Sequence, residues 1–207
     1  CQAAQLYVGA ASCDITPPKP VALDGQMGTR ISRGALTPIT ANAIALESRD
    51  GDRSLARFIL VSLDMVGIRP EIDAPIRAAV QKLLPDFDVN NLVLSATHTH
   101  TAPVADPTKY HIPEDAECMR PAEFVLWAAD RIAPAIARAW NSRVEGQFSY
   151  GLGHAVVAYN RRSVYANGSA AMYGRTNRPD FRCIEGVEDH DVNTMFFWDA
   201  SDKLLAM

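Results

Sequence analysis

Residues 55–97 read as strand, helix, strand, and this spacing constrains the fold more than any other feature of the chain. "LARFILVSLD" (55–64) is an apolar run rich in Ile, Val and Leu, the pattern of a buried strand. "RPEIDAPIRAAVQKLLPD" (69–86) is amphipathic at the helical period: Pro70 suits the first turn, Ile72, Ile76, Val80 and Leu83 share one face, and Pro85 ends it. "NLVLSAT" (91–97) is the next strand. Two strands joined through a helix at this distance form a βαβ unit, parallel and with a right-handed crossover.

Around that unit the chain alternates strand, turn and helix signals. "LYVGAASCDITPP" (6–18) is a short strand halted by a Pro pair, and 21–38 carries turn residues throughout, a loop long enough to suggest function. "ITANAIALES" (39–48) is a strand closed by the hairpin turn "RDGD" (49–52). "PAEFVLWAADRIAPAIARAW" (121–140) is a second helix, expected to bend or break near Pro134. Residues 146–159 alternate like a strand, and 164–174 read as a hairpin around Asn167–Gly168. The simplest account is one α/β domain with a mixed sheet over residues 1–207. The last residues read as a strand, a turn at Asp199–Asp202 and the opening of another strand, so we expect the front part of a longer protein. The chain begins on Cys1; a mature terminus after signal cleavage, a lipid-modified cysteine and a fragment end all fit.

Composition narrows the function classes. The net charge is −4 and no Lys/Arg block stands out, so there is no electrostatic footprint for nucleic acid. No apolar run approaches the ~18 residues of a membrane span. The four cysteines are far apart with no CxxC spacing, which argues against a zinc knuckle.

Chemistry concentrates at the strand ends. In open α/β sheets, ligands bind beyond the carboxyl ends of the strands. That edge would hold Asp64 after one strand and "THTHT" after its parallel neighbour. In an extended segment, residues two apart point the same way, so His98 and His100 would face one point. Such a pair suits chelation of a zinc-like ion, or one metal ligand beside one catalytic histidine. Asp64 could be a ligand or an acceptor behind an imidazole N–H. The plainer alternatives are that the histidines cap a strand, and that Ser95, Thr97, Thr99 and Thr101 satisfy backbone groups. His111, His154 and His190 are further ligand candidates, each more naturally a surface or packed histidine. Arg161 and Arg162 follow a strand and present donor forks suited to a carboxylate, a phosphate or a developing oxyanion, or form a solvated pair.

Six stretches, "VGAASCDITPP", "ITANAIALESRDG", "FILVSLDMVG", "NLVLSATHTHTAP", "YNRRSVYANG" and "VEDHDVNTMFFWD", occur in the order found in one family. The chain resembles the N-terminal catalytic domain of the neutral/alkaline non-lysosomal ceramidases, especially their bacterial branch. The resemblance implies mixed β-sheets flanked by helices, layered as an α/β/β/α sandwich in the full domain. It implies a zinc amidase cleaving ceramide, or a similar N-acyl lipid, to a fatty acid and a sphingoid base. It makes His98 a zinc ligand, His100 a contact to the substrate beside the metal, and Arg161 a lining residue, with Arg162 its ambiguous neighbour. The family's other zinc ligands, a His, a Glu and a Tyr, lie further along the chain. Residues 1–207 alone are therefore expected neither to hold zinc tightly nor to turn over substrate. A secreted or cell-envelope location and peripheral contact with a membrane belong to the same expectation. The alternatives are another metal-dependent hydrolase, or a non-catalytic binding module on the same fold.

Overall fold

The computed structural model describes residues 4–207; the readings attached to Cys1 lie outside them. The chain forms β1 (Gln5–Asp14), β2 (Thr40–Asp50), β3 (Arg53–Leu63), α1 (Pro70–Leu83), β4 (Leu92–Ala96), α2 (Pro121–Asn141), β5 (Val144–His154), β6 (Arg162–Tyr165), β7 (Ala170–Met172), β8 (Phe181–Ile184), β9 (Asp191–Asp199) and β10 (Leu204–Ala206). Seven strands form a mixed sheet in the order β10-β9-β5-β1-β2-β3-β4, and three form a second sheet in the order β7-β6-β8. The described residues divide into two compact units. One runs to Gln147 and includes Phe197–Ala206; the other is Phe148–Phe196 with Met207.

In the first unit the expected βαβ element is present: β3 and β4 pair in parallel from Ile59 opposite Leu92 to Leu63 opposite Ala96, with α1 between them in sequence. The β2–β3 hairpin closes on the "RDGD" turn, with Asp50 opposite Arg53 and Gly51 at φ +58°. The core-facing side of the sheet alternates strictly. Ala41, Ala43 and Ala45 of β2 and Ile59, Val61 and Leu63 of β3 are buried. They pack in one core with Ile72, Ile76 and Val80 of α1 and with Phe124, Ala128, Ile132 and Ile136 of α2. Small residues let α2 lie close to the sheet. A Cβ added to Gly9 of β1 would sit 2.0 Å from the Ala139 carbonyl oxygen.

Two sequence expectations need correction. Leu83 is exposed, and Leu84 is buried in its place. The buried residues 72, 76, 80 and 84 recur at four-residue spacing, so the core face passes through the residue just after the last turn. The second helix runs unbroken through Pro134. Its inner face, carrying Ile132, Ala133, Ala135 and Ile136, is fully packed on both sides of the proline, which offsets one missing N–H.

Arg77 ties α1 to the start of β4. Its Nε donates to Asp73 at 2.8 Å, and its Nη1 donates to the carbonyls of Val89 at 2.6 Å and Leu92 at 2.9 Å. Truncation to alanine strips both carbonyls of this donor. We expect Arg77→Ala to cost about 1–3 kcal/mol, seen as an earlier urea midpoint with an unchanged slope.

In the second unit, β6 pairs antiparallel with both β7 and β8. The predicted hairpin is there, turning at Gly168 with φ +79°. Strand β8 has no periodic apolar signal and was not expected; its pairing to β6 makes it a strand.

Candidate active site

Strand β4 ends at Ala96, but its backbone stays tied to the end of β3. Thr97 N–H donates to the Leu63 carbonyl and His98 N–H to the Met65 carbonyl, both at 3.0 Å. His98 then turns into the left-handed region, φ +63°, a conformation a non-glycine residue holds only when its surroundings impose it. The two imidazoles therefore converge through a turn and not through extended alternation. That corrects the physical reason for their pairing while keeping the pair. The His98 and His100 Nε2 atoms lie 3.2 Å apart, with the rings edge-on at a centroid separation of 4.9 Å.

The His98 tautomer follows from its partner. Nδ1 lies 2.6 Å from the Val66 carbonyl oxygen, which can only accept. Nδ1 therefore carries the hydrogen, and Nε2 faces His100. A ring N–H anchored on a carbonyl is the arrangement found behind metal-bound histidines. Zinc–nitrogen bonds of 2.0–2.1 Å in tetrahedral geometry separate two ligand nitrogens by about 3.4 Å, close to the spacing here. The pair thus fits two positions around one ion, or one ligand and one hydrogen-bonding neighbour. Among the described residues, no group of three or more His, Cys, Asp or Glu is placed to hold a metal.

Asp64 is half-buried and occupied. Its carboxylate accepts from Thr40 N–H at 2.8 Å, Thr40 Oγ1 at 3.0 Å and Thr97 Oγ1 at 3.1 Å. It thereby ties the start of β2 to the residue preceding His98, and the acceptor behind His98 is Val66 instead. The hydroxyls of Ser95, Thr99 and Thr101 serve local structure: Ser95 donates to the Val61 carbonyl at 3.2 Å, and Thr99 and Thr101 bond each other at 3.2 Å. His111 offers its carbonyl to Thr29 at 2.6 Å.

Sequence reading missed the turn that closes on His100. Residues 21–23 form short bridges to Met119, Ile31 and Pro103. Asp24, buried, accepts from Gly25 N–H at 2.6 Å and pairs with Lys109. Gln26 donates its side-chain amide to the His100 carbonyl and exchanges two hydrogen bonds with the Tyr110 hydroxyl, at 3.0 and 2.7 Å. The Asp-Gly dipeptide in the long loop was the one available sign. That loop also walls a groove of about 1270 Å³, whose lining includes Pro17, Pro18, Leu36, Pro38, Thr99 and Thr101.

The second unit holds the other candidates. Asn160 shapes the turn carrying Arg161: its Oδ1 accepts from Arg162 N–H at 3.0 Å, and its Nδ2 donates to the Glu185 carbonyl. The Arg161 guanidinium lies over the Tyr173 ring, 5.0 Å from its centroid, while Arg162 pairs with Glu185 at 2.6 Å. Arg162 is thus the arginine with a carboxylate partner. His154 Nδ1 lies 2.8 Å from Asp191, and the His190 carbonyl accepts from Ala155 N–H at 2.9 Å.

Among solved structures, the chain superposes on the neutral ceramidase from Pseudomonas aeruginosa with a TM-score of 0.69 and 22% identity, over 98% of this chain and 31% of that one. The fold is that of a neutral ceramidase. A ceramidase complexed with C2 gives a TM-score of 0.66 and 22% identity, over 97% of this chain and 30% of the other. The chain thus spans about a third of the ceramidase chains it matches. No family model and no curated protein matches it. The likeness to the ceramidases is one of fold, and it extends through both units.

Proposed function

We propose that this chain carries part of the active site of a zinc-dependent hydrolase that cleaves the amide bond of ceramide or a similar N-acyl lipid, releasing a fatty acid and a sphingoid base. One observation carries the reading: on a ceramidase fold, His98 is locked in a left-handed turn at the carboxyl end of β4, its Nδ1 anchored on Val66 and its Nε2 aimed at His100. In this reading His98 Nε2 holds the zinc. A bound zinc supplies a Lewis acid and lowers the pKa of its water toward neutrality. His100, exposed and beside His98, contacts the reacting carbonyl and carries the proton that the departing amine needs. The family resemblance assigns Arg161 the role of guanidinium donor to the developing oxyanion. Asp64 acts through Thr97 to hold the His98 turn.

The groove beside Thr99 and Thr101 has a mixed lining, prolines and Leu36 together with Lys19, Arg30, Arg33 and Asp64, which suits a substrate with an apolar chain and a polar head. Met27 and Leu36 stand fully exposed on the same loop, which supports peripheral contact with a lipid surface. No helix among the described residues is long and apolar enough to cross a membrane. We propose a site of action outside the cytoplasm, in the cell envelope or the medium, as the resemblance of the six sequence stretches implies.

The test is release of fatty acid from an N-acyl sphingoid base by protein expressed from the natural reading frame that contains this sequence. Release that stops with a chelator, returns with zinc and is absent from His98→Ala supports the reading. Release indifferent to both overturns it.

A further inference from the structure

We infer that the turn Asp24–Gly25–Gln26 is the positioning device for His100, and that Lys109 and Tyr110 lock it. Gly25 packs flat against the imidazole. A Cβ added there would lie 2.5 Å from His100 Cγ, 2.8 Å from its Nδ1 and 2.9 Å from its Cβ. The residue sits at φ +77°, so glycine is required for conformation as well as for space. Gln26, the next residue, donates to the His100 carbonyl, so ring and backbone are held by consecutive residues.

The turn is itself fixed from two sides. Asp24 N–H donates to the Ala102 carbonyl at 2.8 Å, and Val104 N–H donates to the Ala22 carbonyl at 2.9 Å. These bonds lace the loop to the segment following His100. The buried Asp24 carboxylate then pairs with Lys109, and the Gln26 backbone exchanges both its groups with Tyr110. An ion pair to a buried carboxylate and two hydrogen bonds are far more than a surface turn needs. Their joint effect is to press Gly25 onto one part of the His100 ring while its Nε2 faces His98. Among the described residues the His100 ring has no hydrogen-bonding partner other than His98, so the packing of Gly25 and the Gln26 bond set where its Nε2 points.

The consequence for turnover rests on the zinc-amidase reading; the geometric claim does not. Crystal structures, zinc content and steady-state kinetics of Gly25→Ala and Lys109→Met in the natural reading frame test both. We expect the Nε2–Nε2 separation to change by more than about 1 Å, and kcat to fall about 10- to 100-fold. KM and zinc content stay within about twofold, since neither variant removes a residue placed on the metal or in the groove. Should Gly25→Ala not fold, Gln26→Ala takes its place. If the rings keep their present spacing in the folded variants, or if only the melting temperature falls while kcat holds, the turn is merely structural and the inference fails. A wild-type protein that hydrolyses no amide overturns the functional reading alone, because the ring geometry of the variants still decides this one.

Discussion

Replacing Glu47 with glutamine is expected to lower the stability of the first unit by about 3 kcal/mol, or roughly 6–12 °C in melting temperature. Glu47 is 3% exposed and lies on the core-facing side of β2. It accepts from Arg49 at 2.6 Å and Arg143 at 2.9 Å, and Arg57, directly opposite on β3, approaches to 3.6 Å. Arg143 also lies 3.4 Å over the Trp140 ring and donates to the Trp140 carbonyl, so it closes the end of α2 onto the sheet. The amide keeps the shape but leaves three guanidiniums around an uncharged group. Burial alone would raise the Glu47 pKa, yet the bonds from Arg49, Ser54 and Arg143 outweigh it and bring it down to about 2. A depressed folded-state pKa adds stability that is complete above the unfolded value, near 4.5. That stability is lost as pH falls toward about 2. Wild-type stability should therefore decline between these limits, and the difference from Glu47→Gln should shrink with it. Urea midpoints at pH 7 and pH 3 measure both effects; equal differences at the two pH values would contradict the account.

The second large effect divides the two histidines. His98→Ala is expected to lose zinc affinity by more than the ~10–100-fold that removal of an outer partner costs, and turnover with it. His100→Ala is expected to keep its zinc and lose about 10²–10⁴ in kcat, the range for a positioned acid–base group. The split follows from the anchoring. His98 has its Nδ1 committed to Val66, which leaves Nε2 as its nitrogen for a metal, whereas the His100 ring rests on Gly25. If both variants lose zinc equally, the two rings share one ion and His100 is a ligand.

Much of this was legible in the chain. Apolar runs at 55–64 and 91–97 with an amphipathic stretch between them give a parallel βαβ unit because local period and crossover geometry agree. The Thr-His-Thr-His-Thr run marked the candidate site. It could not show the left-handed backbone at His98, since alternating residues read as extended and the turn is imposed by bonds from Thr97 and His98 to residues 63–66. The Gly25 turn was hidden for the same reason. Its partners Lys109 and Tyr110 are more than 80 residues away, and no local pattern joins Asp24 to either. Leu84 replaced Leu83 in the core because a single residue at a helix end can fall on either face, and packing decides. Asp64 was legible as a strand-end residue, but only the fold shows that its carboxylate is shared by Thr40 and Thr97.

The proposed role of His98 is to hold a zinc ion. The most direct test is elemental analysis of purified protein from the natural reading frame containing this sequence, beside its His98→Ala and His100→Ala variants, in chelator-free buffer at neutral pH. The account predicts about one zinc per chain in the wild type and in His100→Ala, and none in His98→Ala. Zinc retained in full by His98→Ala, or no metal in any of the three, would contradict it and leave the histidine pair as the cap of a strand.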